Sequence, residues 1–499
     1  MATDSAVARS VAKEGGWAGV MNILGAGFRY LNNLILARVL GPAALGLFGL
    51  ANAAVAIVAV FISLGLPTAM THFLASYAGR QEWGPLRWVV RASIRTALVS
   101  GILGCAVVVA LSPWASVAIF HKEKLVLPLA GLALSLPFAC LYGVCAGGLQ
   151  GLKDIRGKVF VERVAHPLLL FAFLLAGGFV FRSLFFVVVC FFVATAANLL
   201  IAAVWFTRRM KALPLSPSPV ASRWRVTAGF SVPVMVMNLL TYLVLQSDLL
   251  VMGIFRPEAE VGIYLIASRL ATGVGQPADA LGASLAPNFS SLMGQGDHEG
   301  LRRLFHTSTR WIFLLGTGVG LTLILSGQLV LRIFGKDFTT GYVVLCLLAA
   351  GQMFSAALGA NATLITMTGH PKVNLVNSLV LGLANLGLDF VLIPRYGAVG
   401  AAAAAAASLI AMNLTRSVEI NVILKMRPWD RTLLKPLVAL LSGAAAGWGA
   451  FWGLGPVAGT ACGLAVFVGG WWTLGPEPED LEMLRLALAR LRRRPAEVR

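Results

Sequence analysis

The residues with the most chemical content in this 499-residue chain are the charged and amide side chains set inside long apolar segments. Arg29 lies in the middle of one such segment, with Asn22, Asn32 and Asn33 nearby and Arg38 nine residues further on. The steps from Asn22 to Arg29 to Asn33 bring the three close to one helical face. A guanidinium stays charged when desolvated and presents forked donors that suit phosphate oxygens. The stripe therefore has the chemistry of an anion site, and Arg269 offers the same group about two turns into another segment. Two readings stay open for Arg38: it lines the same path, or it snorkels to the outer headgroups.

The acids in similar surroundings are Asp248, Asp279, Asp389 and Glu419. Ionisable groups at membrane depth usually face a pathway or a partner. Asp389 has no partner close in sequence and is the preferred candidate for coupling to H+ or Na+, with Asp248 and Glu419 behind it. Asp248 is expected at about the depth of Arg269, so an ion pair is its competing reading. Glu419 follows Arg416 by three residues, and the two are expected to pair along their helix.

The elements that hold these residues follow from composition. Hydrophobic residues make up 58% of the chain and charged residues 12%, with 53 glycines and a mean hydropathy of +0.82. Soluble domains carry about 25% charged residues, so a water-soluble enzyme is excluded. The expected fold is an all-α polytopic membrane protein. A helix needs about 20 mostly apolar residues to cross the hydrocarbon core. Such segments occur near 15–40, 44–75, 92–115, 125–149, 164–181, 183–206, 226–253, 261–292, 310–334, 341–368, 373–393, 399–424, 436–453 and 458–475. Fourteen spans put twenty-nine of the 40 Lys and Arg on one side and eight on the other, with Arg29, Arg269 and Arg416 inside spans. Basic residues collect on the cytoplasmic side, so both termini are expected there. The net charge of +19 reflects that bias and gives no reason to expect a nucleic acid partner.

The first and seventh spans match at an offset of 216 residues: Met21-Asn22 falls on Met237-Asn238, Gly46 on Gly262, Phe48 on Tyr264 and Ala51 on Ala267. Two six-helix bundles follow, 1–206 and 226–424, joined by the proline-rich cytoplasmic linker 207–225. Repeats of one topology are a transporter architecture with the substrate between them. Outside the repeat lie two further spans, 436–475, and a basic amphipathic tail, 476–499, expected on the inner leaflet.

Other features read as structure. Pro67, Pro137, Pro233, Pro277 and Pro287 should kink helices, and Trp83, Trp88, Trp114, Trp224 and Trp311 should anchor at interfaces. The six cysteines and six histidines are scattered through apolar segments without metal-ligand spacing, so no metal and no disulfide is expected. No phosphate loop of Walker type is present, and no cofactor is expected. The N-terminus does not suggest a cleaved signal peptide.

ARVLGPAALGLFGLANA resembles the first outer turn of the bacterial polysaccharide-unit (O-antigen or exopolysaccharide) flippases. SDLLVMGIFRPEAEVGIYLIASRL resembles their seventh and eighth helices, and NLGLDFVLIPRYGAVGAAAAAA their eleventh and twelfth. That family shares a superfamily with the lipid II flippase and the multidrug and toxin extrusion transporters. The resemblance covers essentially the whole chain. It implies alternating-access transport of an undecaprenyl-diphosphate-linked oligosaccharide from the inner to the outer leaflet of the bacterial cytoplasmic membrane, without catalysis, with polysaccharide polymerase or assembly proteins as partners. Such a cargo needs a cationic cavity for its head, for which Asn22, Arg29, Asn33, Arg38 and Arg269 are the candidates, and an apolar seam for its tail. The alternatives are a cation-coupled multidrug antiporter, which would want an acidic cavity, and a membrane glycosyltransferase or polymerase, which would want clustered carboxylates.

Overall fold

A computed structural model of the protein describes residues 2–213, 224–427 and 431–481, nearly all of them helical and none in a strand. The helices are α1 (Ala2–Ile62), α2 (Leu66–Gly79), α3 (Trp83–Trp114), α4 (Val126–Ala133), α5 (Leu136–Gly151), α6 (Ile155–Val159), α7 (His166–Phe181) and α8 (Leu184–Lys211). They continue as α9 (Trp224–Phe255), α10 (Glu258–Gln295), α11 (His298–Phe334), α12 (Tyr342–Ala357), α13 (Asn361–Met367), α14 (Pro371–Leu424), α15 (Leu434–Leu454) and α16 (Pro456–Thr473). Most of the 207–225 linker and the arginine-rich part of the tail, 482–499, lie outside the described residues.

Among the described residues, nine helical stretches are long and apolar enough to cross a membrane, and a bent pair, Glu123–Ala133 with Leu136–Gly151, makes a tenth. Their outward faces carry large apolar side chains such as Val180, Leu245 and Trp452, each more than two-thirds exposed. So much exposed hydrocarbon is at home only in lipid, and the chain is an all-α multi-pass membrane protein. The nine treat doubled helices as single stretches. α1 breaks at Gly41 (φ 71°, ψ 177°) and α14 at Gly397 (φ 60°, ψ −136°). Both glycines occupy the left-handed region that a side chain would strain, at the outer turns expected from LGPAALG and IPRYGAVG.

Two expectations about local structure change. Pro67 and Pro137 do not kink helices; each sits in the first turn of a new one, α2 and α5, where its missing N–H costs no hydrogen bond. Pro233, Pro277 and Pro287 do lie inside helices. Trp311, expected as an interfacial anchor, packs its ring edge-on against Trp471 at 5.9 Å, in the contact between α11 and α16.

The chain divides into two compact units, Met1–Leu265 and Ile266–Arg499. In the first, α9 and the opening of α10 are bound to the preceding helices at three levels. Ser231 Oγ donates to the Leu64 carbonyl, and Lys122 Nζ to the Gly253 carbonyl. Between them, Gly46 and Gly262, partners in the 216-residue repeat, lie against each other. A Cβ on Gly46 would meet the Glu258 carbonyl and come 2.9 Å from the Gly262 nitrogen; a Cβ on Gly262 would meet the Pro42 carbonyl and come 3.0 Å from the Gly46 nitrogen. Pro42 and Glu258 are also 216 apart, so the contact is reciprocal. Only small residues let two backbones approach this closely in lipid.

The second unit has two apolar centres. Phe289, Phe305, Ile312, Leu364 and Ile420 join α10, α11, α13 and α14. Leu321, Leu325, Ala439, Phe467 and Trp471 dock the α15–α16 pair on α11. That pair is closely packed, since a Cβ on Gly443 would come 2.7 Å from the Gly463 carbonyl oxygen.

Replacing Gly46 or Gly262 with leucine should destabilise the detergent-purified protein by about 1–3 kcal/mol through overpacking. Gly27→Leu, at an exposed site with nothing within 4 Å, should stay within about 0.5 kcal/mol. Thermal unfolding measures all three.

Candidate functional site

The first helix presents two distinct polar rows. Asn32 is buried and donates through Nδ2 to the Pro167 carbonyl at 2.8 Å, where α1 packs on α7. Gly25, one heptad earlier on that row, lies against the Arg163 backbone. Asn22, Arg29 and Asn33 form the neighbouring row: the first two are exposed and Asn33 is half-buried. The row is therefore left open by the helices that clasp Asn32. Arg38 is also exposed. At about 100° per residue it lies roughly half a turn round from Arg29 on the same unbroken helix, so the two arginines do not share a stripe.

Elsewhere in the first unit, Asp248 on α9 accepts a hydrogen bond from the Tyr264 hydroxyl at 2.6 Å and from Ser247 Oγ at 3.2 Å. Tyr264 is the repeat partner of Phe48, and its extra oxygen serves this carboxylate. An apolar cavity of about 540 Å³ opens between the second leg of α1 and α3, lined by Val58, Phe61, Leu103, Val107 and Phe120 among others. Near the α5–α6 turn, Asp154 caps α6 through Gly157 N–H and also binds Trp205 and Arg209. Burial alone would raise this carboxyl, but these donors outweigh it and hold it below the ordinary carboxylate range.

The second unit gathers the remaining candidates along a seam. Asp389 is fully buried, and Asn385, one turn before it, donates to its Oδ2 at 3.1 Å. It therefore has a sequence-local partner after all, missed because an amide was not weighed as one. Glu419 accepts from Asn377 Nδ2 at 2.6 Å, across the two legs of α14. Arg416 reaches Ser378 Oγ at 3.4 Å on that same opposite leg. The expected interaction of Arg416 with Glu419 is present as an attraction between their charges along the helix, and both side chains also make contacts between the legs. The seam extends through Asn361, which donates to Ser417 Oγ at 3.0 Å, and Asn413, which donates to Ser355 Oγ at 3.0 Å. Arg269 is exposed on α10. Sequence reading missed the amides Asn361, Asn377, Asn385 and Asn413, although Asn374, Asn377, Ser378 and Asn385 recur at helical spacing and give a visible signal.

These features define a multi-pass helical membrane protein whose intramembrane carboxylates are held by amides and a tyrosine, and whose first helix carries an open arginine–asparagine row. Residues 11–293 match the family described as polysaccharide biosynthesis protein, and the chain belongs to that family. Residues 233–391 also match the MatE family. The probable low-salt glycan biosynthesis flippase Agl15 of Haloferax volcanii is 22% identical over 394 residues, covering 78% of this chain and 79% of that protein. Among solved structures, the lipid II flippase MurJ in an inward closed conformation superposes with a TM-score of 0.70 at 13% identity, over 93% of this chain and 99% of its own. A multidrug resistance MATE family transporter of the MOP superfamily, inward-facing, gives 0.65 at 14% identity, over 82% and 98%. Likeness at these identities speaks to the fold, which this chain shares with both.

Asn377→Leu should cost about 1–3 kcal/mol by leaving Glu419 without its donor. In a Glu419→Gln background the same change should cost clearly less, because no charge is then stranded. A double-mutant cycle by thermal unfolding checks this, and equal costs in both backgrounds would show that the pair is not coupled.

Proposed function

We propose that the protein is a flippase that carries undecaprenyl-diphosphate-linked oligosaccharide units from the inner to the outer leaflet by alternating access. The observation that carries this reading is membership of the polysaccharide biosynthesis protein family, together with the glycan flippase that matches over most of both chains. In this reading the doubled helices α1 and α14 each cross twice, α15 and α16 cross separately, and α10, which is outside the ten stretches, also crosses, so fourteen spans result. Residues 1–206 and 226–424 are the two repeat bundles, joined by the cytoplasmic linker 207–225, and both termini lie inside the cytoplasmic membrane's inner face.

The exposed row of Asn22, Arg29 and Asn33 is the candidate for the diphosphate in the first unit, and Arg269 is a separate cationic candidate in the second. Stripping phosphates of water in hydrocarbon is prohibitive without such partners. Arg38, turned away from that row, serves the headgroup region. The apolar cavity beside Val58 and Leu103 is suited to part of the isoprenoid chain, as is the lipid-facing surface of 436–475. Asp389, Asp248 and Glu419 are the candidates for coupling to H+ or Na+, each already held by a donor that a bound ion would replace. Asp389, fully buried, remains the first choice.

The MatE match over 233–391 favours a second reading, a cation-coupled drug antiporter. Such an antiporter would want an acidic cavity, and the exposed row on α1 carries an arginine and two asparagines but no acid, which sets this reading behind the first.

Arg29→Ala should abolish complementation of a strain that lacks its own polysaccharide-unit flippase, at normal membrane abundance. Arg29→Lys should restore it only in part, since lysine keeps the charge but not the fork. Full complementation by Arg29→Ala would remove Arg29 from the route.

A further inference from the structure

The second unit holds a polar cavity of about 550 Å³, apart from the α14 seam. Arg302, Arg303 and His306 line it from the start of α11, Lys425 and Arg427 from the chain just after α14, and Arg310 from one side. Glu477 and Glu479 are its lining acids. Glu477 is already engaged by Lys435 at 2.8 Å, and Arg302 and Arg303 share Glu299 at 3.3 and 3.9 Å. Among the described residues the balance of the walls is cationic, and a volume of this order suits a small ligand.

Arg310 shows what the cavity is built to hold. Its side chain is 8% exposed and forks onto Asp480, Nε to Oδ2 at 3.1 Å and Nη2 to Oδ1 at 3.2 Å, while Nη1 donates to Thr432 Oγ1 at 3.1 Å. Glu479, half exposed, approaches Nη2 at 3.7 Å. Burial pushes the Asp480 carboxyl above its ordinary range, and Arg310 pulls it back. The chain has thus placed its own carboxylate oxygens against the one buried guanidinium of the cavity. Arg303, Lys425 and Arg427 stay exposed at the rim. Carboxylate and phosphate present the same oxygen geometry to an arginine fork.

We propose that this cavity binds a phosphate-ester anion, with Glu479 yielding its place beside Arg310 to a phosphate oxygen and Asp480 staying bound. Basic pockets among transmembrane helices take lipid headgroups in this way; a soluble diphosphate offers the same chemistry. The site needs no transport to be occupied and stands independently of the flippase reading.

The test uses the full chain, as wild type and as an Arg303→Gln/Arg427→Gln variant changed only at exposed rim positions. Inorganic pyrophosphate is titrated by calorimetry, and retained lipid is counted by native mass spectrometry from phosphatidylcholine nanodiscs with and without phosphatidylglycerol. The wild type should bind pyrophosphate or retain phosphatidylglycerol, and the variant should weaken whichever binds at least fivefold. Retention of phosphatidylglycerol alone marks a lipid headgroup site, and pyrophosphate binding alone a soluble diphosphate site. Glu479→Gln, which removes the competing carboxylate, should tighten binding. Absence of binding to either probe, equal binding by the rim variant, or unchanged or weaker binding by Glu479→Gln overturns the proposal.

Discussion

Hydrocarbon supplies no water to hydrogen-bond a stray polar group, and the polar architecture of this protein follows from that constraint. Three carboxylates within spans, Asp389 fully buried and Asp248 and Glu419 half-buried, are each met by a donor from a neighbouring turn, leg or helix: Asp248 by Tyr264, Asp389 by Asn385 and Glu419 by Asn377. The same constraint explains the glycines. Between helices in lipid no hydrophobic force operates, so association rests on close packing. Gly46 and Gly262 provide it where the two copies of the repeat meet within the first unit.

That contact also gives the repeat a physical meaning. The offset of 216 residues is a pattern of loose matches in the sequence, and apolar segments match easily by chance. In the structure the offset links Gly46 to Gly262 and Pro42 to Glu258 in a single reciprocal contact. The differences between the copies are equally informative. Where the first copy has Phe48, whose ring meets Phe191 at 6.0 Å, the second has Tyr264, whose hydroxyl binds Asp248.

Much of the fold was legible because lipid imposes a simple rule on composition. Segment lengths, outer turns and the helical class follow from hydropathy and from glycine, and the breaks at Gly41 and Gly397 fall where the sequence places turns. The break at Leu64–Gly65 was hidden because Pro67 reads equally as a kink or as the first turn of a new helix. Trp311, near a span end, also meets another helix, a contact that leaves no mark in the local sequence. Of the site, the rare charges and the asparagines beside Arg29 stood out, and the amides of the second unit did not. Arg416 and Glu419 show what local spacing leaves out: the two interact along their helix, and each also reaches the facing leg, at Ser378 and Asn377. The Arg310–Asp480 fork joins residues 170 apart and leaves no local trace.

The central claim is that the protein moves a lipid-linked glycan across a bilayer. It is tested most directly in proteoliposomes loaded with a polyprenyl-diphosphate oligosaccharide confined to the inner leaflet, with an impermeant glycosidase outside. The account predicts time-dependent cleavage of the glycan with the intact protein and none in protein-free vesicles. Vesicles that stay sealed and hold correctly folded protein, yet show no more cleavage than empty ones across an imposed proton or sodium gradient of either sign, would contradict it.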